Sequence, residues 1–266
     1  MSEAPPPTDE FPDEKGVQVG MWEAALTSYY SHEVLKDPAF GFRIHNTPHV
    51  ISIHHYKKAS HEYIVAKVKV PDLDEIRFLW IEHFQASTNA SEARGSHHSL
   101  SRVTTATSQD SAALCLKSFP ASDEIKTLTR WPSAANNICH HRYKCEGSQT
   151  KLLDLALAAR VVSDSCGDYQ IYKSQCFQFA NTVIGILQQH FPQMKEKRSP
   201  PGSDSDSDEV EVDDRKMGKH KSVRIYTRDV SMINDLHGHF TTHKDKVLAI
   251  VSLFNTDGFL LTNYCL

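Results

Sequence analysis

The chain has 266 residues, of which 39% are hydrophobic, and a formal net charge of −4. This length suits one large domain better than two packed domains. No apolar run approaches the roughly 18 residues of a membrane helix, and the first residues lack the basic start and apolar centre of a secretory signal. We therefore expect an intracellular protein without a transmembrane segment, in the cytoplasm or, as an alternative, in the nucleus.

The charge is unevenly distributed along the chain. Residues 203–214 (SDSDSDEVEVDD) contain seven acidic residues and no basic one, which leaves the rest of the chain close to neutral. A near-neutral domain argues against a nucleic-acid surface, so no nucleic-acid partner is expected. The composition of residues 196–221 predicts an acidic disordered linker. We favour a solvated spacer; the alternative is a segment whose serines are phosphorylated and which recruits a basic protein partner.

The first half of the chain alternates between ordered and disordered patterns. Residues 1–18 are rich in proline and acidic residues, which predicts a disordered tail. Residues 21–30 have helical apolar spacing. Residues 61–70 (HEYIVAKVKV) and 77–84 (RFLWIEHF) read as two strands of a β-hairpin. Residues 87–112 carry few large apolar side chains and are interpreted as a Ser/Thr-rich insertion loop.

The second half predicts two helices and a short C-terminal unit. Residues 148–162 have the clearest helical stripe, and residues 176–191 form a second one that ends before a proline. Residues 223–227 read as a strand, followed by Asp229 as a helix cap. The apolar run 246–254 is consistent with either a buried strand or a helix, because periodicity alone does not distinguish them.

These elements predict an α+β domain over residues 19–195, in which a small antiparallel sheet packs against helices. The acidic linker follows, and then a C-terminal segment over residues 222–266. We expect this segment either to pack back on the domain or to pair with a partner protein.

Cys176 is the strongest candidate for chemistry. It is predicted in the first turn of a helix, where unpaired backbone N–H groups and the helix dipole favour the thiolate. It also belongs to the apolar stripe of that helix, so the thiol would face the body of the protein. A buried and inert cysteine is the alternative, which the spacing alone favours.

A cysteine nucleophile needs a base within hydrogen-bond reach and a third group that orients the base. His61 opens the first strand of the predicted hairpin and His83 lies near the end of the second, so the hairpin brings them close. Strand alternation places His83 on the face of Leu79 and Ile81, and Glu82 on the other face. Taken singly, each histidine is better explained as a surface or rim side chain.

The order of these residues resembles the circularly permuted papain-like fold of the lecithin:retinol acyltransferase-like proteins. His61 begins HEYIVA where that family has a sequence similar to HWALYV, His83 lies on the next strand, and QCFQFA contains Cys176 where the family has NCEHF. The resemblance covers residues 61–84 and 150–190. Gln175 stands in the place of the family's asparagine, and Glu62 stands where an aromatic residue is common.

A closer resemblance is to uncharacterised proteins of mushroom-forming fungi. These carry a tyrosine shortly before a stretch that reads asparagine, cysteine, two aromatic residues, phenylalanine and alanine. Tyr169 and the residues from Cys176 to Ala180 are similar to that pattern.

The resemblance implies an intracellular cysteine hydrolase or acyltransferase that needs no cofactor. Cys176 would attack an ester, thioester or amide, His61 would act as base and then as acid, and His83 would orient the imidazole. The substrate stays open between a peptide, a ubiquitin-like protein and an acyl lipid. The alternative is a non-catalytic, protein-binding member of the same scaffold.

A zinc site is the competing interpretation. Cys139, His140, His141 and Cys145 offer four ligands within seven residues, but structural zinc sites usually join two separated ligand pairs. Five histidines lie within residues 45–61, with no cysteine or carboxylate at an interval typical of a metal site. We treat them as compositional and expect no bound metal.

Overall fold

The structure is a computed structural model. It describes residues 11–36, 47–58, 61–71, 75–85, 121–128, 130–131, 138–145, 150–166, 176–197, 219–220, 223–224 and 229–262. The predicted insertion loop 87–112, most of the acidic linker and the first ten residues lie outside these ranges.

Seven strands form one antiparallel sheet, in the order β1-β5-β4-β3-β2-β6-β7. The strands are β1 (Val17–Gln18), β2 (His49–Lys58), β3 (His61–Val70), β4 (Glu75–Gln85), β5 (Ala121–Leu128), β6 (Ile138–Lys144) and β7 (Lys195–Lys197). The predicted strands β3 and β4 are confirmed, and they pair as antiparallel neighbours.

The sheet is larger than the sequence predicted, because three of its longer strands lack a clear apolar alternation. The strand β2 reads HVISIHHYKK, and its residues from Ser52 to Lys57 are all buried. Alternation of apolar and polar residues is typical of a strand that has one face buried and the other exposed to solvent. Here both faces are covered, and the polar side chains are held in buried hydrogen bonds and ion pairs, so the pattern is lost.

The described residues also form the helices α1 (Val19–Lys36), α2 (Leu152–Cys166), α3 (Cys176–His190) and α4 (Val230–Thr262). The short strands β8 (Lys219–His220) and β9 (Val223–Arg224) pair with each other. The three helices predicted from periodicity are confirmed with shifted ends. The undecided run 246–254 is helical.

The helices pack on one side of the sheet, which we call the helix face. The main core joins them to inward-pointing strand residues, of which Ile64, Leu79 and Ile125 are fully buried. The opposite side, the outer face, carries a separate cluster of Tyr56, Tyr63, Val65 and Cys139, with Phe78, Trp80 and Trp131 packed against it. In the part of the chain that the structure describes, the sheet therefore separates an apolar core from an aromatic layer.

The C-terminal segment packs back on the domain. Leu236, Phe240, Val247 and Val251 of α4 are buried in the main core. Asp229 caps the helix, since its Oδ1 accepts the backbone N–H of Met232 at 3.0 Å. Burying a large apolar side chain stabilises a fold by about 1.5–3 kcal/mol, so α4 is an integral part of it.

The ordered domain extends at both ends beyond the boundaries predicted from composition, into the predicted tail 1–18 and the predicted linker 196–221. Within the predicted tail 1–18, Val17 and Gln18 pair with β5. Gly16 has a φ of +86°, and a Cβ there would lie 2.0 Å from Glu124 Oε1, so the turn into β1 needs glycine. Within the predicted linker, residues 196–197 belong to β7. In both places edge-strand pairing supplies hydrogen bonds that composition does not reveal.

Candidate active site

Cys176 is the first residue of α3, and its side chain is 2% exposed. Phe179 and Ala180, one turn further along, are buried in the main core and fix the helix against the sheet. The backbone N–H of Glu62 donates to Cys176 Sγ at 3.2 Å. The start of α3 and the start of β3, which are 114 residues apart in the chain, therefore meet at the sulfur atom.

The first residue of β3, His61, lies between a thiol and a carboxylate. Its Nε2 is 2.8 Å from Glu82 Oε2 on β4, and its ring also forms a hydrogen bond with Cys176. The structure thus brings together two of the three residues that the sequence singled out, Cys176 and His61. Glu82 is the third member of the arrangement.

The charges of this group favour an imidazolium. Burial on its own lowers the pKa of His61, but the hydrogen bonds with Cys176 and Glu82 and their negative charge outweigh it and raise the pKa to about 10. Burial likewise raises the pKa of Glu82, but His61 and Lys126 lower it to about 2. Lys126 Nζ lies 3.1 Å from Glu82 Oε1, so the carboxylate has a cation on each side.

His83 lies on the opposite side of the sheet. Its Nδ1 bonds to Asp123 Oδ1, and Ser163 Oγ donates to the other oxygen of that carboxylate. The His83 ring is fully buried and stacks on Phe179, with ring centres 5.5 Å apart. Among the described residues His83 is not a partner of the His61 ring, and Glu82 occupies the position that the sequence analysis gave to His83.

The register of the hairpin explains this exchange. Tyr63 pairs directly with Glu82, so their side chains share the outer face, and Glu82 reaches diagonally to His61. His83 is one residue further along and therefore points to the helix face. Strand alternation in the sequence already separated Glu82 from His83. It would have identified Glu82 as the partner of His61 if the face occupied by the His61 side chain had also been assigned.

Aromatic rings shield the site on the outer face. Tyr63 stacks on the His61 ring with centres 6.1 Å apart, and Trp80 stacks on Tyr63 at 3.6 Å. The His61 side chain is 21% exposed. Because little water reaches the pair, the attraction between His61 and Glu82 is screened less than at an open surface.

The side chain of Glu62 holds the backbone that contacts Cys176. It points to the helix face, where Oε1 lies 3.0 Å from Lys57 Nζ and Oε2 lies 2.9 Å from His55 Nε2. Phe177 stacks on His55 from α3, with ring centres 5.8 Å apart. Glu62, which stands where the resembled family has an aromatic residue, thus fixes its own backbone N–H group beside the sulfur.

A second cysteine–histidine contact provides a comparison. Cys139 Sγ lies 3.9 Å from His54 Nδ1 on the outer face. Burial raises the pKa of Cys139 to about 12, while burial, Arg142 and Lys67 lower the pKa of His54 to about 3. This pair is therefore a neutral thiol beside a neutral imidazole. The carboxylate of Glu82 is what distinguishes the Cys176 site from it.

The residues of the zinc interpretation diverge. Cys139 belongs to the outer-face cluster, Cys145 is buried in the main core, and His141 Nδ1 bonds to Glu196. In the part of the chain that the structure describes, no three histidine, cysteine or acidic side chains are grouped so that they could hold a metal ion.

No protein-family model, curated protein or solved structure matches this chain. None of the helices in the described ranges combines the length and the apolar character needed to cross a membrane.

Proposed function

We propose that the protein is a cysteine hydrolase or acyltransferase in which Cys176 is the nucleophile and His61 the general base and acid. The observation that carries this proposal is the contact of one imidazole ring with both a thiol and a carboxylate. Nucleophile, base and orienting group in this order are the signature of an activated cysteine.

The ring nitrogens have separate tasks in this mechanism. Glu82 accepts the N–H of His61 Nε2, so Nδ1 is the nitrogen available to Cys176. The carboxylate fixes the orientation of the ring and stabilises the imidazolium. With the pKa of His61 raised to about 10, the imidazole is protonated at neutral pH, which is the form that favours a negatively charged sulfur beside it.

The reaction proceeds in two halves. The thiolate of Cys176 attacks the carbonyl carbon and a C–S bond forms; the bond to the leaving group breaks, and that group takes the proton from His61. A water molecule or an acceptor alcohol or amine then attacks the thioester and gives its proton to His61. The C–S bond breaks and the thiolate is restored.

Backbone N–H groups supply the stabilisation of negative charge. The first N–H groups of α3 have no partner within the helix, which makes its start suited to an oxyanion. The Glu62 N–H, which donates to Sγ, stabilises negative charge on the sulfur when it forms.

The wider architecture is consistent with a papain-like scaffold. A cysteine at a helix start, a histidine on a strand of an antiparallel sheet, and helices on one face of that sheet agree with the permuted fold that the sequence resembles. We propose Glu82 in the orienting position instead of His83. The substrate is an ester, thioester or amide of a peptide, a ubiquitin-like protein or an acyl lipid, and the proposed location is the cytoplasm or the nucleus.

The test is the pH profile of iodoacetamide labelling at each cysteine of the native protein, read by peptide mass mapping. We expect Cys176 to react faster than Cys139 at a pH of about 6–7, because only Cys176 is paired with an imidazolium. His61→Ala should abolish this advantage. His54→Ala, which removes the imidazole beside Cys139, is the matched control and should leave the labelling of Cys176 unchanged.

A non-catalytic protein-binding role is the second candidate, and the burial of Cys176 favours it, because a substrate carbonyl must reach a sulfur that is 2% exposed. If Cys176 is labelled slowly in both the native protein and His61→Ala, the catalytic proposal fails and the binding role takes its place.

A further inference from the structure

A shallow cleft lies on the outer face of the sheet and is open to solvent on one side. We call it the outer-face cleft. One residue from each of four neighbouring strands contributes to it, together with a tryptophan that follows β5: its lining consists of His54, Lys67, Phe78, Trp131 and Arg142.

The outer-face cleft is positively charged. Lys67 and Arg142 line it, and none of the described residues that line it is acidic. Within the described ranges neither cation has a carboxylate partner, and Arg142 Nε is buried without a hydrogen bond. Two cations near each other without a counter-ion repel, and a buried donor without an acceptor destabilises the fold. A bound anion would relieve both.

The positive charges of Arg142 and Lys67 also act on His54. It pairs with Arg142 across β2 and β6, and burial together with Arg142 and Lys67 lowers its pKa to about 3. Its ring is therefore neutral at physiological pH, and it adds a hydrogen-bonding group to the cleft but no charge.

Aromatic rings form the other walls. Trp131 meets His54 and Phe78 edge to face, with ring centres 4.6 Å and 5.1 Å apart. Its Nε1 donates to Tyr56 Oη at 3.0 Å, which fixes the orientation of the indole. Rigid aromatic walls beside a few convergent polar groups are the usual composition of a small-molecule site.

We propose that the outer-face cleft binds a small organic anion whose body is a planar apolar ring. Arg142 and Lys67 hold the phosphate or carboxylate group, since a guanidinium binds either oxyanion through two parallel hydrogen bonds. Phe78 and Trp131 hold the ring.

This site is separate from the one that contains Cys176. Lys67 lies six residues beyond His61 on β3, which is about 20 Å along an extended strand. The side chains of Tyr63 and Val65 fill the outer face between them and are almost fully buried. The inference therefore holds whether or not Cys176 is a nucleophile.

The experiment is a calorimetric titration of the full chain with phenyl phosphate, benzoate and inorganic phosphate. We expect phenyl phosphate to bind with a Kd below about 1 mM and at least about tenfold more tightly than inorganic phosphate. A stronger response to benzoate than to phenyl phosphate identifies the anionic group as a carboxylate, and the reverse order identifies it as a phosphate.

Substitutions inside and outside the outer-face cleft test whether the anion binds there. Arg142→Gln and Lys67→Gln should each weaken it about tenfold or more, because each removes one charge-assisted hydrogen bond. Lys144→Gln removes a cation from the same strand as Arg142 but outside the cleft, and should have no effect, as should Cys176→Ala. Circular dichroism checks the fold of each variant, and either cleft variant suffices if the other does not fold.

The proposal is overturned if neither aromatic anion binds, if inorganic phosphate binds as tightly as phenyl phosphate, or if the folded cleft variants bind like the native protein.

Discussion

His61 and Glu82 form an ion pair across the hairpin of β3 and β4, with Nε2 2.8 Å from Oε2. Both side chains are largely buried, and Lys126 contacts the second oxygen of the carboxylate. This pair distinguishes the environment of Cys176 from that of Cys139, whose histidine neighbour lies beside two cations. The consequences of the pair for reactivity and stability are measurable.

Replacing Glu82 should reduce the reactivity of Cys176. In Glu82→Gln the pKa of His61 falls, because the ring loses the charge of its carboxylate partner. We expect labelling of Cys176 at a pH of about 6–7 to slow by about tenfold, because the ring then lacks the carboxylate that orients it and the imidazolium stabilises the thiolate less. The control is Glu75→Gln, on the same strand but paired with Arg77 at the exposed edge of the hairpin. Equal labelling rates in the two variants would exclude Glu82 as the orienting group.

The ion pair should make stability depend on pH. The pKa of His61 is about 10 in the folded state against 6.5 for the free side chain, so its contribution is complete below about 6.5 and is lost as the pH rises through 10. The pKa of Glu82 is about 2 against 4.5, so its contribution is present above 4.5 and is lost as the pH falls through 2.

The measurement is the free energy of unfolding in urea for the native protein and His61→Gln over this range. The difference between the two should be about 2 kcal/mol near pH 5–6 and should decrease towards zero at about pH 10. A difference that is constant with pH would mean that His61 is not charged in the folded state.

His83 should matter for stability and not for reactivity. Its ring joins β4 to β5 through Asp123, and that carboxylate also binds Ser163 on α2. His83→Ala leaves a buried carboxylate without this partner, which should lower the free energy of unfolding by about 3 kcal/mol. Labelling of Cys176 in the folded variant should keep the native pH profile. A loss as large as that in His61→Ala would return His83 to the catalytic group.

Removing the C-terminal core contact should destabilise the whole domain. Phe240 of α4 is fully buried between the helices, and Phe240→Ala should cost about 3–5 kcal/mol of unfolding free energy. Thr242→Ala, two residues further along on the exposed side, should change it by less than about 0.5 kcal/mol. The urea midpoint measures both. Equal midpoints would show that α4 folds independently of the domain.

Local patterns were sufficient for the elements with strong periodicity. β3 alternates and the stripes of α2 and α3 repeat at helical spacing, so their positions, the hairpin and the placement of Cys176 at a helix start could be predicted. The helical state of residues 246–254 could not, because a buried apolar run of that length has no distinguishing period. The strands β2, β5 and β6 were missed because their polar side chains are paired within the protein.

The sequence by itself was sufficient to single out two residues that the structure brings together, a cysteine at the start of α3 and a histidine at the start of β3. Only the tertiary structure decided their third partner. A shift of one residue along a strand moves a side chain to the other face of the sheet, and both Glu82 and His83 were suited to orient an imidazole. The pairing of Tyr63 with Glu82 places the glutamate beside His61 and directs His83 to Asp123. Such a choice depends on register between strands, which no local pattern encodes.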